Sequence, residues 1–273
     1  MRNRGVLLPL LFTAGACSHE DLDIRNLNGG RIIAMGHGGM GIHSTYPLDS
    51  PAGILSCLCS DADGSEMDIQ LTRDSVLVAF HSVDLSEGSD MSGLVWEHTW
   101  SEVSQARLDG VPYSDHHILS IDALFDHVDP AQHAISFDIK LNAGSTPDAQ
   151  YYATYVNALC RLFDEHPPGD RFYIESQSPQ FLAMLQERRH DLKLFIYPTS
   201  FTAGLQLARD QSLFGITVDM HEVEASEVEQ AHREGFWIAL WNAESNSDNR
   251  QAIRLGPEII QTDRLDDLVG LLE

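Results

Sequence analysis

Basic residues are scarce in this chain of 273: lysine and arginine number 17 against 41 acids, a formal charge of −24. A nucleic-acid binder needs a basic face to displace counterions, so that class is disfavoured. The same field repels anionic membranes and anionic substrates, and an anionic substrate would need an added cation, most naturally a divalent metal. Cysteines are also few, four in all. They make neither a disulfide framework nor a paired CxxC zinc signature. Cys57, Cys59 and Cys160 read as small buried residues, and a spacing of two on a helix points Cys57 and Cys59 apart. No apolar run is long enough to span a bilayer, the stretch 5–14 included. Hydrophobic residues at 43% and charged residues at 21% exclude a disordered or collagen-like chain.

The N-terminus has the order of a secretory signal: Arg2 and Arg4, the apolar stretch 5–14, small residues Ala14, Gly15 and Ala16, then Cys17. A cysteine directly after small residues resembles a bacterial lipoprotein processing site, although Ala14 stands where leucine is usual. The expectation is a signal peptide over 1–16, a polar tether over 17–30 and one domain over 31–273. The protein would then be exported from a bacterial cytoplasm and held, through a lipid on Cys17, facing the periplasm or exterior.

From residue 31 onward, strand-like and helix-like stretches alternate. Strands are expected at 31–36, 65–71, 76–80, 134–140, 171–175, 192–197, 214–219, 236–241 and 258–262. Helices are expected at 51–61, 119–128, 148–165, 179–187, 200–209, 225–234, 248–255 and 265–272. With the 65–80 hairpin counted once, these are eight strand-then-helix units. Short apolar strands buried on both faces, eight times over, predict a (β/α)8 TIM barrel. A doubly wound sheet is disfavoured because no glycine-rich phosphate loop follows the first strand. The polar stretch 82–117 reads as a small insertion after the second strand, over the barrel mouth.

Active groups of a barrel gather at the C-terminal ends of its strands. There the chain places His37 between glycines, Glu66 and Asp68, His81, Asp138 and Lys140, Trp241, and Thr262-Asp263. Glu66 and Asp68, two apart on a strand, share a face, and Asp138 and Lys140 repeat the spacing. Three converging carboxylates repel unless a cation sits among them, and all-oxygen ligands favour Ca2+ or Mg2+ over zinc. A hairpin turn centred between Asp74 and Ser75 would pair Asp68 with His81, a register fragile to a one-residue slip.

Together these residues resemble the glycerophosphodiester phosphodiesterase family. Its His-Arg-Gly is Gly36-His37-Gly38-Gly39 here, and its Pro-Glu-Asn-Thr is Pro47-Leu48-Asp49-Ser50. Its Gly-Ala-Asp and Glu-x-Asp fall in 61–68, its hairpin histidine is His81, and its Glu-x-Lys is Asp138-Ile139-Lys140. Its strand-seven tryptophan is matched by Trp241 and its Thr-Asp by Thr262-Asp263. The departures are Gly38 for a phosphate-contacting arginine, Leu48-Asp49 for Glu-Asn, and the shorter Asp138. The resemblance implies hydrolysis of a glycerophosphodiester to glycerol phosphate and an alcohol. A divalent metal on Glu66, Asp68 and Asp138 would offset charge, and His37 and His81 would act as acid and base. Lys140 would contact the phosphate and Trp241 the glycerol carbons. A neighbouring glycerol hydroxyl would attack, giving a cyclic phosphate that water opens. Two alternatives are a barrel phospholipase of C or D type, with Trp96 and Trp100 of the insertion near a membrane, and a lipid-anchored homologue that binds without turnover.

Overall fold

The computed structural model describes residues 22–109 and 116–273. The signal sequence and Cys17 lie outside the described residues. Ten strands occur in chain order: β1 Ile33–Gly36, β2 Gly64–Leu71, β3 Leu77–Ala79, β4 Leu119–Ser120, β5 Ala134–Ile139, β6 Phe172–Ser176, β7 Lys193–Ile196, β8 Gly215–Asp219, β9 Trp237–Ala243 and β10 Ile259–Thr262. Eight of them pair in parallel around a closed ring, β1-β2-β5-β6-β7-β8-β9-β10 and back to β1. Helices lie between, among them Pro51–Leu58, Ala149–Glu165, Pro179–Arg188, Phe201–Gln211 and Asn246–Leu255. This is the (β/α)8 barrel expected from the alternation.

Local chemistry sets the ends of these elements. Ser50 caps the first helix, its hydroxyl accepting from Gly53 N, and Pro51 occupies the first turn, where its missing N–H costs nothing. That helix stops at Leu58 rather than at 61, which leaves Cys59 as an exposed cap instead of a buried residue. The stretch 119–128 divides into β4 and a short helix, Ile121–Phe125, because the Ser120 hydroxyl accepts from Ala123 N and restarts the chain.

Alternation along the strands builds two different environments. Outward residues, such as Met67 and Ile69 of β2 and Ile135, Phe137 and Ile139 of β5, join the large core beneath the helices. Inward residues form layers. At the floor Met35, Ala134, Tyr173, Phe195, Ala239 and Ile259 make an apolar plug. Above it Ser136, Glu175 and Gln261 are buried and polar. Glu66, Asp68, Asp138 and Lys140 follow at the mouth. Barrel polarity therefore rises toward the C-terminal strand ends, where the loops can admit water and ligand.

β2 outruns β1, which covers only Gly64 and Ser65. Its free edge takes β3 antiparallel, with Ile69 opposite Ala79 and Leu71 opposite Leu77. The insertion packs onto this hairpin with a core of its own, including Val78, Phe80, Leu85, Val95, Val103 and Ile118. Trp96 stacks edge-on against Tyr151 at 4.7 Å, and Trp100 packs on the insertion core. Both tryptophans are thus engaged in packing.

Candidate active site

β1 delivers His37 to the mouth and β10 delivers its partner. His37 N donates to Thr262 O, continuing the ladder that closes the barrel. His37 Nδ1 lies 2.8 Å from Asp263 Oδ1, which also accepts from Ile42 N. An acceptor on Nδ1 places the proton there and leaves Nε2 turned to the site. Burial opposes charge on this ring. The Asp263 hydrogen bond and the charges of Asp68, Asp263 and Asp49 outweigh it, so the ring is pushed up to about 9.

His81 arrives differently from the expected pairing. The ladder puts Asp68 opposite Phe80, whose N–H donates to Asp68 O, one residue short of the predicted register. The turn has three residues rather than a symmetric two, with Ser75 left-handed at φ +66 and Thr72 N bonded to Val76 O. The strand ends at Ala79, so His81 escapes strict alternation and still reaches the site. Its ring centroid is 6.0 Å from that of His37, edge to face.

The acids converge as strand period requires. Asp68 and Asp138 are register neighbours on β2 and β5, and ligand oxygens of Glu66, Asp68 and Asp138 lie within 4.8 Å of one another. Glu66 and Asp68 are 2% and 1% exposed. Glu66 Oε2 accepts from Gly38 N at 3.0 Å. Lys140 Nζ sits 2.7 Å from Asp68 Oδ1 and 2.5 Å from Asp138 Oδ2. Burial and then the Asp68 charge hold the Glu66 carboxyl well above the usual range. Asp138 is raised as well, by burial first, with Lys140 opposing. Asp68 is lowered despite its burial, because Lys140, His81 and His37 face it. Lys140 is raised, since Asp68 and Asp138 overcome its desolvation.

This donor set fits a hard divalent cation. Asp68 Oδ2 is buried with no hydrogen-bond partner among the described residues, and oxygens of Glu66 and Asp138 lie within 4.8 Å of an Asp68 oxygen. His37, Asp68 and His81 form a second group within the same spacing. His37 Nδ1 is already committed to Asp263, however, which leaves that ring a single nitrogen to offer.

Three contributors were not assigned from the sequence. Asp49 is buried, left-handed at φ +55, and accepts Asp68 N through Oδ1. Asp263 was visible only as part of a Thr-Asp pair. Glu175 of β6 lies one layer below the acids, bonded by Ser136 and Gln261. Its one advance signal was inward parity on a short strand. Burial, then the Asp138 charge, pushes the Glu175 carboxyl up to about 7 from an ordinary 4.5, against the pull of those hydrogen bonds. A raised carboxyl favours folding while it is protonated, below about 4.5, and that contribution is lost as pH rises through about 7. In chelator, Glu175→Gln should therefore melt close to wild type near pH 4.5. Near pH 8 it should gain up to about 3 kcal/mol. A gain that does not vary with pH would contradict this account.

Gly38 stands where the resemblance has arginine. Its φ is +52, and a Cβ there would lie 2.8 Å from Leu48 Cδ2. The two departures are thus coupled: Leu48 fills the space and the left-handed backbone disfavours a side chain. Lys140 borders a cavity of about 570 Å³ with His81, Asp138 and Gln177. Trp241 borders a second of about 640 Å³, edge-on to Tyr197 at 5.5 Å, and Gln177 lines both. Paired imidazoles and buried acids thus gather at the C-terminal mouth of one barrel. The sequence profile described as "Glycerophosphoryl diester phosphodiesterase family" matches residues 55–267. A glycerophosphodiester phosphodiesterase of Caldanaerobacter subterraneus is 21% identical over 85% of this chain and 95% of its own. One of Bacillus altitudinis is 35% identical over 24% of this chain and 26% of its own. The barrel matches a solved Oleispira antarctica phosphodiesterase at TM-score 0.78 and 15% identity, over 88% of this chain and 96% of that one. It matches a Thermotoga maritima glycerophosphodiester phosphodiesterase at TM-score 0.70 and 17% identity, over 88% and 98%. The chain belongs to the glycerophosphoryl diester phosphodiesterase family, and so to the phosphoric diester hydrolases.

Proposed function

We propose that this chain cleaves glycerophosphodiesters to glycerol phosphate and an alcohol, with His37 and His81 as its acid and base. The observation that carries the reading is the pair of imidazoles 6.0 Å apart beside a buried acid cluster. The Oleispira antarctica phosphodiesterase structure is a complex with the product sn-glycerol-3-phosphate, which supports the same substrate class. Glu66, Asp68 and Asp138 would hold Ca2+ or Mg2+, which supplies positive charge to offset the phosphate's. One histidine takes the proton of the glycerol hydroxyl next to the phosphate as its oxygen bonds to phosphorus. The other gives a proton to the alcohol oxygen as its bond to phosphorus breaks. Water then opens the cyclic phosphate with the two roles reversed. Asp263 fixes the His37 tautomer, Lys140 meets a phosphate oxygen, and Trp241 gives an apolar wall for glycerol carbons.

A screen of phosphodiesters with and without chelator tests this. Release of alcohol and glycerol phosphate only from glycerophosphodiesters supports the reading, while preferred release from intact phospholipids favours the phospholipase alternative. Binding without release in the presence of metal favours the non-catalytic one. Export and lipid attachment at Cys17 are also proposed. Detergent partitioning of wild type and Cys17→Ala checks them, with loss of the anchored form expected in the variant.

A further inference from the structure

His81 is exposed, so packing does little to aim its ring. β3 has already ended at Ala79, and Phe80 N to Asp68 O is a last ladder bond before the histidine. We propose that Gln70 is the positioning residue of His81, its side-chain amide clamping the backbone on either side of that histidine. Gln70 stands two residues beyond Asp68 on β2, on the same inward face, and is 2% exposed. Its Nε2 donates to Phe80 O and to Ser82 O, each at 2.7 Å. One amide nitrogen thus commits its two protons to the carbonyls that bracket residue 81. The amide cannot be turned over, since Oε1 would then face two carbonyl oxygens, and Oε1 in turn accepts from Asn142 Nδ2 at 3.3 Å. Asn142 lies two residues past Lys140, so the clamp links the loop carrying Lys140 to the segment carrying His81. The Gln70 amide is itself buried, and a side chain without both donors would leave the two carbonyls without this partner and the segment free to drift.

The proposal rests on the reading of His81 as acid or base, and its test keeps the two apart. Gln70→Leu retains size and removes both donors. Turnover is compared for wild type, Gln70→Leu, His81→Ala and the double variant, with metal present. Gln70→Leu should lower kcat about 10- to 100-fold, the scale of a misplaced catalytic group. KM should stay within about twofold, as for an interaction that matters in the transition state. In the His81→Ala background the same change should cost less than about twofold, the non-additivity of residues acting as a unit. NMR of the histidine rings supplies a readout free of catalysis: the His81 signal should move or broaden in Gln70→Leu while that of His37 holds. An equal fractional loss with and without His81, or an unchanged kcat, overturns the clamp. So does an unmoved His81 signal, whatever the rates. If His81→Ala kept the wild-type rate, the catalytic assignment would fall and the NMR comparison alone would decide the clamp. Should Gln70→Leu not melt cooperatively, Asn142→Ala carries the same four-way comparison with a smaller loss of the same sign.

Discussion

Alanine at His37 or at His81 is expected to lower kcat by about 100- to 10,000-fold, the usual cost of losing a general acid or base. The two variants should differ in their side effects. His37 is tied at Nδ1 to Asp263, which loses its partner when the ring goes, although Asp263 still accepts from Ile42 N. His81 is exposed and reaches the site from an irregular segment, so its removal should leave the melting temperature nearly unchanged. Asp263→Asn offers a graded control: it keeps size but weakens the preference for a proton on Nδ1, and kcat should fall less than in His37→Ala. Steady-state kinetics with metal in excess, beside thermal melts, check all three. A histidine whose alanine variant kept wild-type turnover would be reassigned to structure.

Removing divalent metal is expected to abolish turnover, and adding back Ca2+ or Mg2+ to restore it. The argument begins with charge. The chain carries −24 formally, and its proposed substrate is an anion. At the mouth Glu66 and Asp138 are pushed toward their neutral forms by burial and by the Asp68 charge, against the pull of Lys140. Lys140 meets part of the need for counter-charge, but it is shared between Asp68 and Asp138 and, among the described residues, leaves Asp68 Oδ2 unpartnered. A divalent ion would reverse the local field and free Lys140 for the phosphate. It should also raise the melting temperature, because it binds the assembled cluster and not the dispersed acids of the unfolded chain. The gain is about 2.7 kcal/mol at a hundredfold excess over Kd. Asp138→Asn should weaken metal binding more than it lowers the melting temperature of the chelated protein, since the side chains match in size. Full turnover in chelator, with no thermal shift from either ion, would refute the metal proposal and leave the barrel intact.

Strand period was enough to bring part of this site together. Residues 66, 68, 138 and 140 obey a two-residue repeat, and a repeat of two on buried strands has one inward face. The order of short apolar strands and helices likewise determined the barrel, because each unit must bury both faces of its strand. Other features depended on contacts that no local pattern contains. His37 and Asp263 are 226 residues apart and meet only because β10 closes against β1. The position of His81 turned on the left-handed Ser75, which lengthened the turn by one residue and moved the register from the one the sequence suggests. Gln70 looks from the sequence like any inward polar residue, and its hold on Phe80 and Ser82 exists only where the end of β3 leaves their carbonyls bare. The exchange of arginine for Gly38 makes sense only beside Leu48, whose side chain fills the space that a Cβ would enter. Periodicity therefore determined which face each strand residue presents, while closure of the barrel and the length of one turn decided which of those residues touch.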